Sequence, residues 1–95
     1  MSHPATEKTF ALPSEMTILH AALLRESLLQ AVSEGVSAWD GHAVESIDSS
    51  GIQVLLALRR SLQAQQVGWS LCDPSGALLD ALRLYGLADL AQSPQ

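Results

Sequence analysis

Short extended segments alternate with three helical patterns along this chain, and the alternation limits the possible folds more than any other feature. Apolar residues recur at spacings of three and four from about residue 19 to 33, 52 to 65 and 76 to 85, which predicts three helices. Extended segments are predicted at residues 9–12, 15–18, 36–39 and 67–72. Because strands alternate with helices, we expect an α/β fold, with a mixed sheet of about four strands covered by three or four helices.

The same patterns predict which residues form the core. The first helix should bury one apolar stripe that consists of Leu19, Leu23, Leu24, Leu28 and Val32, or its neighbour Ala31. The last helix should bury Leu78, Leu79, Leu82 and Tyr85. Residues 67–72 have the strongest strand pattern of the chain. Gly35 and Gly86 are suited to end helices, because glycine adopts a positive φ without a steric penalty.

Size and charge exclude several classes of protein. The chain has 95 residues and a formal net charge of -5, which allows one domain and argues against nucleic-acid binding. Residues 1–8 are polar, so we expect a flexible lead-in without the apolar segment of a secretory signal. The longest apolar run, Val54–Leu58, is far too short to span a bilayer. We therefore expect a cytoplasmic protein without direct membrane insertion.

Neither the single cysteine nor the three histidines indicate a metal or cofactor site. Cys72 has no partner for a disulfide or a CxxC pair, and it ends a predicted buried strand. His3, His20 and His42 match no compact zinc spacing. The sequence also lacks a Gly-x-Ser-x-Gly nucleophile motif and a glycine-rich phosphate loop. We therefore predict no catalytic residues, no metal and no cofactor.

The most informative segment is Asp48-Ser49-Ser50-Gly51, which directly precedes the apolar pattern of the second helix. Either serine is suited to be the N-cap, since its hydroxyl can accept a hydrogen bond from an N–H of the first turn. Asp48 adds negative charge near the positive end of the helix dipole. On these grounds alone, the segment can be a structural helix cap with no further role.

Residues 40–56 run from Asp-Gly-His-Ala-Val-Glu-Ser-Ile through Asp-Ser-Ser-Gly to Ile-Gln-Val-Leu-Leu, and they resemble the motif of STAS domains. This is the fold of bacterial anti-sigma factor antagonists, in which a strand, such a loop and an apolar helix follow in that order. The early segment 15–17, the helix over 19–33 and the closing segment 74–87 are also similar to the family. The resemblance covers about residues 9–92, which is the expected extent of the domain.

The resemblance implies partner switching by phosphorylation. The family's phosphoacceptor is the first hydroxyl residue after the aspartate, which is Ser49 here, with Ser50 as the alternative. A serine kinase, often the binding partner itself, such as an anti-sigma factor, would phosphorylate this residue and release the chain. A phosphatase would reset the switch. The expected switch loop and partner interface consist of Ile47, Asp48, Ser50, Gly51, Gln53, Arg59 and Arg60.

A second function remains open beside the switch. Short, Leu/Ala-rich versions of the family like this chain resemble the STAS proteins found beside chemotaxis or lipid-transport components. The chain also departs from the family in having Pro13 where glycine is often found. The alternative is a constitutive docking module, either a STAS subunit of a lipid-transport ABC system or a chemotaxis-associated signalling adaptor, in which Ser49 is structural. Arg59 and Arg60 are either solvated charges or contacts for an acidic partner surface.

Overall fold

Five short strands and three helices make up the part of the chain, residues 8–91, that the computed structural model describes. The strands are β1 (Lys8–Ala11), β2 (Glu15–Met16), β3 (Val36–Asp40), β4 (Ser46–Ile47) and β5 (Leu71–Cys72). The helices are α1 (Ala21–Ser33), α2 (Ser49–Ala64) and α3 (Gly76–Leu84), followed by a 3₁₀ helix at Ala88–Ala91. Within residues 8–91, β1, β3 and β5 form one sheet in that order, β2 and β4 form a second, and all pairings are parallel.

The predicted α/β class is confirmed, while the sheet differs in detail from the expected mixed sheet of about four strands. The Leu12 N–H donates to the Asp40 carbonyl at 2.8 Å, and the Ser46 N–H donates to the Ser14 carbonyl at 3.0 Å. The chain from β1 to β2 therefore lies beside the chain from β3 to β4 across both sheets. The ladder is interrupted around Pro13, because proline has no N–H to donate. A helix lies between the two members of each pair, α1 for β1 and β3 and for β2 and β4, and α2 for β3 and β5, as parallel pairing requires.

One hydrophobic core joins the strands to all three helices. Trp39 of β3 is fully buried and contacts Phe10 of β1, with ring centroids 5.9 Å apart. The core residues of the helices are Leu24, Leu28, Ala31 and Val32 of α1, Ile52, Val54, Leu55, Leu58 and Leu62 of α2, and Leu78 and Leu82 of α3. Burial of an apolar side chain of this size stabilises a fold by about 1.5–3 kcal/mol. These contacts therefore determine how the helices lie on the strands.

The apolar stripe predicted for α1 is only partly correct. Leu24 and Leu28 are buried, whereas Leu19 is 83% exposed and Leu23 is 70% exposed. Leu19 precedes the helix, and Leu23 lies roughly 140° around the helix axis from Leu28. Ile18 is also 71% exposed. We call Ile18, Leu19 and Leu23 the apolar patch; it lies at the start of α1.

The last predicted strand, residues 67–72, is shorter than expected, with only its final two residues in β5. Gln66 takes a left-handed conformation with a φ of 62°. The Val67 N–H then donates to the Leu62 carbonyl at 2.8 Å, which closes the C-terminus of α2. The following residues lead from this helix end to the sheet, and the Ser70 carbonyl makes the first bond to β3.

Residues 1–8, the expected lead-in, lie outside the described part of the chain except for Lys8, which begins β1. None of the helices within residues 8–91 is both long and apolar enough to cross a bilayer.

A hydrogen bond from Trp69 holds the 3₁₀ helix against the rest of the fold. Its indole N–H donates to the carbonyl of Leu90 at 2.7 Å, and the Leu90 side chain is buried. Tyr85 was predicted to be buried but is 45% exposed, because it lies beyond the last residue of α3. Its hydroxyl makes no hydrogen bond within residues 8–91.

Replacing Trp69 by Phe should lower the free energy of unfolding by about 1–3 kcal/mol, because a hydrogen bond and part of the ring contact are lost. Tyr85→Phe removes a hydroxyl without a partner and is the matched control, with an expected change below about 0.5 kcal/mol. Urea denaturation followed by circular dichroism measures both. Equal effects of the two substitutions would contradict this role of Trp69.

Candidate functional site

Asp48 joins the chain segment before α1 to the first turn of α2. One carboxylate oxygen accepts from the Gly51 N–H at 3.1 Å, and the other accepts from the Ile18 N–H at 3.0 Å. The Asp48 backbone is extended, as at an N-cap. The expectation that Ser49 or Ser50 caps the helix is therefore wrong: Asp48 is the N-cap, since it directly precedes the first residue of α2 and its carboxylate accepts a first-turn N–H.

These hydrogen bonds lower the pKa of Asp48 below its ordinary value. The Ile18 N–H has the largest effect, partial burial opposes it, and the Gly51 N–H adds to it. Both donors stabilise the charged form of the carboxyl group. At neutral pH a carboxylate therefore stands at the N-terminus of α2, where the helix dipole also favours negative charge.

Gly51 is the point at which α2 packs directly on β2. A β-carbon at this residue would clash with the Met16 carbonyl oxygen and would lie 2.8 Å from Cγ1 of Ile47. Met16 is fully buried, and its carbonyl also accepts from the Asp48 N–H at 3.3 Å. Ile47 pairs with Met16 between β4 and β2. Backbone packs against backbone here, so only glycine fits without a shift of the helix.

The two serines between Asp48 and Gly51 differ in their surroundings. Ser49 is exposed, whereas Ser50 is half-buried, and neither hydroxyl makes a hydrogen bond within residues 8–91. Ser49 is the first residue of α2 and is held in place by the cap before it and by the packed glycine after it. A phosphate on this hydroxyl would stand near the positive end of the helix dipole, beside the Asp48 carboxylate that accepts the Gly51 N–H.

The remaining predicted interface residues lie on two different sides of α2. Gln53 and Arg60 are exposed and line a groove between α1 and α2, together with Ser50. Arg59 instead lies with its guanidinium 3.9 Å from the carboxylate of Asp89 in the 3₁₀ helix. The structure therefore brings Ser50, Gln53 and Arg60 together and separates Arg59 from them.

Sequence reasoning missed Arg25, which lines the same groove from α1. The motif that identified Ser50 and Gln53 is confined to residues 40–56, and Arg60 was considered for its place on the same helix, so neither signal carried information about a side chain on another helix.

Sequence reasoning also missed a group of possible metal ligands. One ligand atom each from Asp40, His42 and Asp73 lies within 4.8 Å of the others. A backbone and a side-chain hydrogen bond from His42 lower the pKa of Asp40, and the Asp40 carboxylate raises the pKa of His42. The spacing of the histidines could not reveal this group, because its acidic members come from β3 and the end of β5. Exposed acidic groups commonly lie together without an ion, and we assign no metal to them.

The parallel strands, the capped loop and the helix with an exposed serine define a small α/β domain of the kind that the sequence resembles. The STAS domain family model matches residues 3–93, and the chain belongs to this family. The predicted family is thereby confirmed. A search of curated proteins found no significant match.

Two solved structures share the fold. The anti-sigma factor antagonist SpoIIAA in its unphosphorylated form matches with a TM-score of 0.69 and 20% sequence identity, over 98% of this chain and 85% of that chain. The Bacillus cell fate determinant SpoIIAA in its phosphorylated form matches with a TM-score of 0.61 and 19% identity, over 98% of this chain and 88% of that chain.

Replacing Gly51 by Ala should lower the free energy of unfolding by about 1–3 kcal/mol, because the added methyl group meets the Met16 backbone. Gly76→Ala is the matched control: it lies in the first turn of α3, with nothing within 4 Å of the new β-carbon. There we expect no loss of stability, since alanine favours helix formation over glycine. Urea denaturation compares the two variants, and equal stabilities would contradict the close packing of Gly51.

The lowered pKa of Asp48 predicts a pH-dependent contribution to stability. The charged carboxylate stabilises the fold above its ordinary pKa of 3.8, and this contribution is lost as the pH falls through the lowered value. Wild type should therefore be more stable than Asp48→Asn at neutral pH, and the difference should shrink as the pH is lowered below 3.8. Denaturation at a series of pH values measures this. A difference between the two proteins that stays the same at every pH would contradict this contribution of Asp48.

Proposed function

We propose that this chain is a protein-binding module whose partner is released when Ser49 is phosphorylated. The observation that carries the proposal is the exposed, unbonded Ser49 hydroxyl at the start of α2, between the Asp48 cap and the packed Gly51. The partner is a serine kinase that acts as an anti-sigma factor, or another signalling protein, and a phosphatase resets the switch. The module performs no catalysis itself and works in the cytoplasm, where kinases have ATP.

The chemistry of phosphorylation fits a switch at this place. A phosphate adds roughly -1.5 to -2 charge at pH 7. The N-terminus of α2 tolerates an anion, so the fold should persist. A docked partner should be released, because the phosphate repels it and because burying the phosphate in the interface costs desolvation free energy. The likeness to SpoIIAA in both its unphosphorylated and its phosphorylated form supports a switch that leaves the fold intact.

A constitutive docking module is the second candidate, and the apolar patch favours it. Its three side chains are mostly exposed in this chain. Permanent interfaces are more apolar than transient ones, so a lipid-transport ABC subunit or a chemotaxis adaptor would cover such a surface continuously. In that function the Asp48 cap has only a structural role.

Phosphosite mapping by mass spectrometry, on protein isolated from its own host, distinguishes the two functions. We expect phosphate on Ser49, lost in a Ser49→Ala strain and retained in a Ser50→Ala strain. Phosphate on Ser50 alone would place the switch one residue further along α2. Its absence from both serines under several growth conditions would contradict the switch and favour constitutive docking.

Ser49→Asp should weaken binding of the partner, once it is identified in that host, by on the order of tenfold through added charge at the interface. Its stability should change by less than about 0.5 kcal/mol, because the residue is exposed at a helix N-terminus. Calorimetry and thermal denaturation measure the two effects. Gln63→Glu, which adds the same charge at the exposed far end of α2, should leave the affinity unchanged. A large loss of stability in Ser49→Asp would argue against a switch that acts on the interface.

A further inference from the structure

The groove between α1 and α2 combines small apolar side chains with two arginines. Its volume is about 390 Å³. The residues that matter here are Ala21, Ala22, Arg25, Ser50, Ala57 and Arg60. The alanines allow a polypeptide to approach the helices closely.

Neither Arg25 nor Arg60 has an acidic partner within residues 8–91. Lys8 bonds a backbone carbonyl, and Arg59 and Arg83 lie 3.9 Å and 3.6 Å from carboxylates. On their own helices, the two groove arginines have no acidic residue three or four positions away in either direction. No aspartate or glutamate lines the groove. The two arginines are therefore uncompensated, although the chain carries a net charge of -5.

We propose that the groove between α1 and α2 receives an acidic segment of a partner protein, whose carboxylates bind Arg25 and Arg60. Guanidinium groups bind carboxylates in a bidentate manner and are enriched in protein interfaces. Two cations are too few for a nucleic-acid backbone, while Val54 and the alanines of the groove supply the apolar area of a protein interface. The proposal rests on the proposed function for its premise that the chain binds a protein.

The position of Ser50 connects the groove to the switch. Ser50 lines one end of the groove, directly after Ser49. Along α2 it is ten residues from Arg60, or about 15 Å. A phosphate on Ser49 therefore weakens the attraction for carboxylates through its charge and does not fill the groove.

A peptide titration tests the groove without the native partner. The probe is an amidated alanine-based peptide with glutamate at every fourth position, titrated into the full, unphosphorylated, ¹⁵N-labelled chain and followed by two-dimensional NMR. We expect saturable shifts at the amides of the groove residues. The counterpart peptide with glutamine in place of glutamate should bind weaker by on the order of tenfold, a difference of about 1.4 kcal/mol.

Substitutions assign the binding to the two arginines. The double variant Arg25→Gln, Arg60→Gln should bind the glutamate peptide weaker by on the order of tenfold. Arg83→Gln, at an exposed arginine of α3, is the matched control and should keep the wild-type affinity. Dispersed spectra show that each variant is folded. Equal binding of the two peptides, shifts confined to other surfaces, or unchanged affinity in the double variant would overturn the proposal.

The same titration on the chain with phosphoserine incorporated at Ser49 separates the groove from the switch. Weaker binding of the glutamate peptide is the expected result. Unchanged binding would overturn the coupling of groove and phosphate while retaining the groove. If the unphosphorylated chain does not bind the peptide, yet phosphorylation still releases the native partner, the proposed binding of an acidic segment is wrong and the phosphorylation switch is retained.

Discussion

The Asp48 carboxylate holds the two parts of the candidate site in one arrangement, because its oxygens accept N–H groups from two different segments. Ile18 belongs to the chain leading into α1, and Gly51 belongs to the first turn of α2. The same region is closed by the contact of Gly51 with the Met16 backbone. The groove, the apolar patch and the serines are therefore positioned relative to one another by the Asp48 carboxylate and by the close backbone contact that glycine allows at residue 51.

Much of the fold could be predicted because helical periodicity and the Asp-Ser-Ser-Gly segment are local properties of the sequence. α2 and α3 end within one residue of their expected positions. The exposure of Leu19 and Leu23 and the shortness of β5 could not be predicted, since both depend on which surfaces other segments cover. Arg59 and Arg60 are adjacent in sequence but about 100° apart on a helix. Only the structure shows that one lies near Asp89 while the other lines the groove.

An acidic chain can still present a locally positive surface, because screening limits an exposed charge to an effect over roughly 8–10 Å. The positive charge of the groove comes from Arg25 and Arg60 alone among its lining residues. One phosphate, at about -1.5 to -2 charge, is comparable in size to the charge of both arginines together. Arg60 lies about 16 Å from Ser49 along α2, beyond this screening range, so a phosphate on Ser49 acts mainly on the end of the groove at Ser50.

The fold constrains the side chains of the four residues from Asp48 to Gly51 to different degrees. The carboxylate at one end and the absence of a side chain at the other are fixed by backbone contacts, whereas the exposed Ser49 side chain makes no hydrogen bond to any residue from 8 to 91. In evolution, a phosphorylatable residue can thus be lost or regained at this position without rebuilding the scaffold. Regulation and docking can diverge independently among relatives that keep the same backbone.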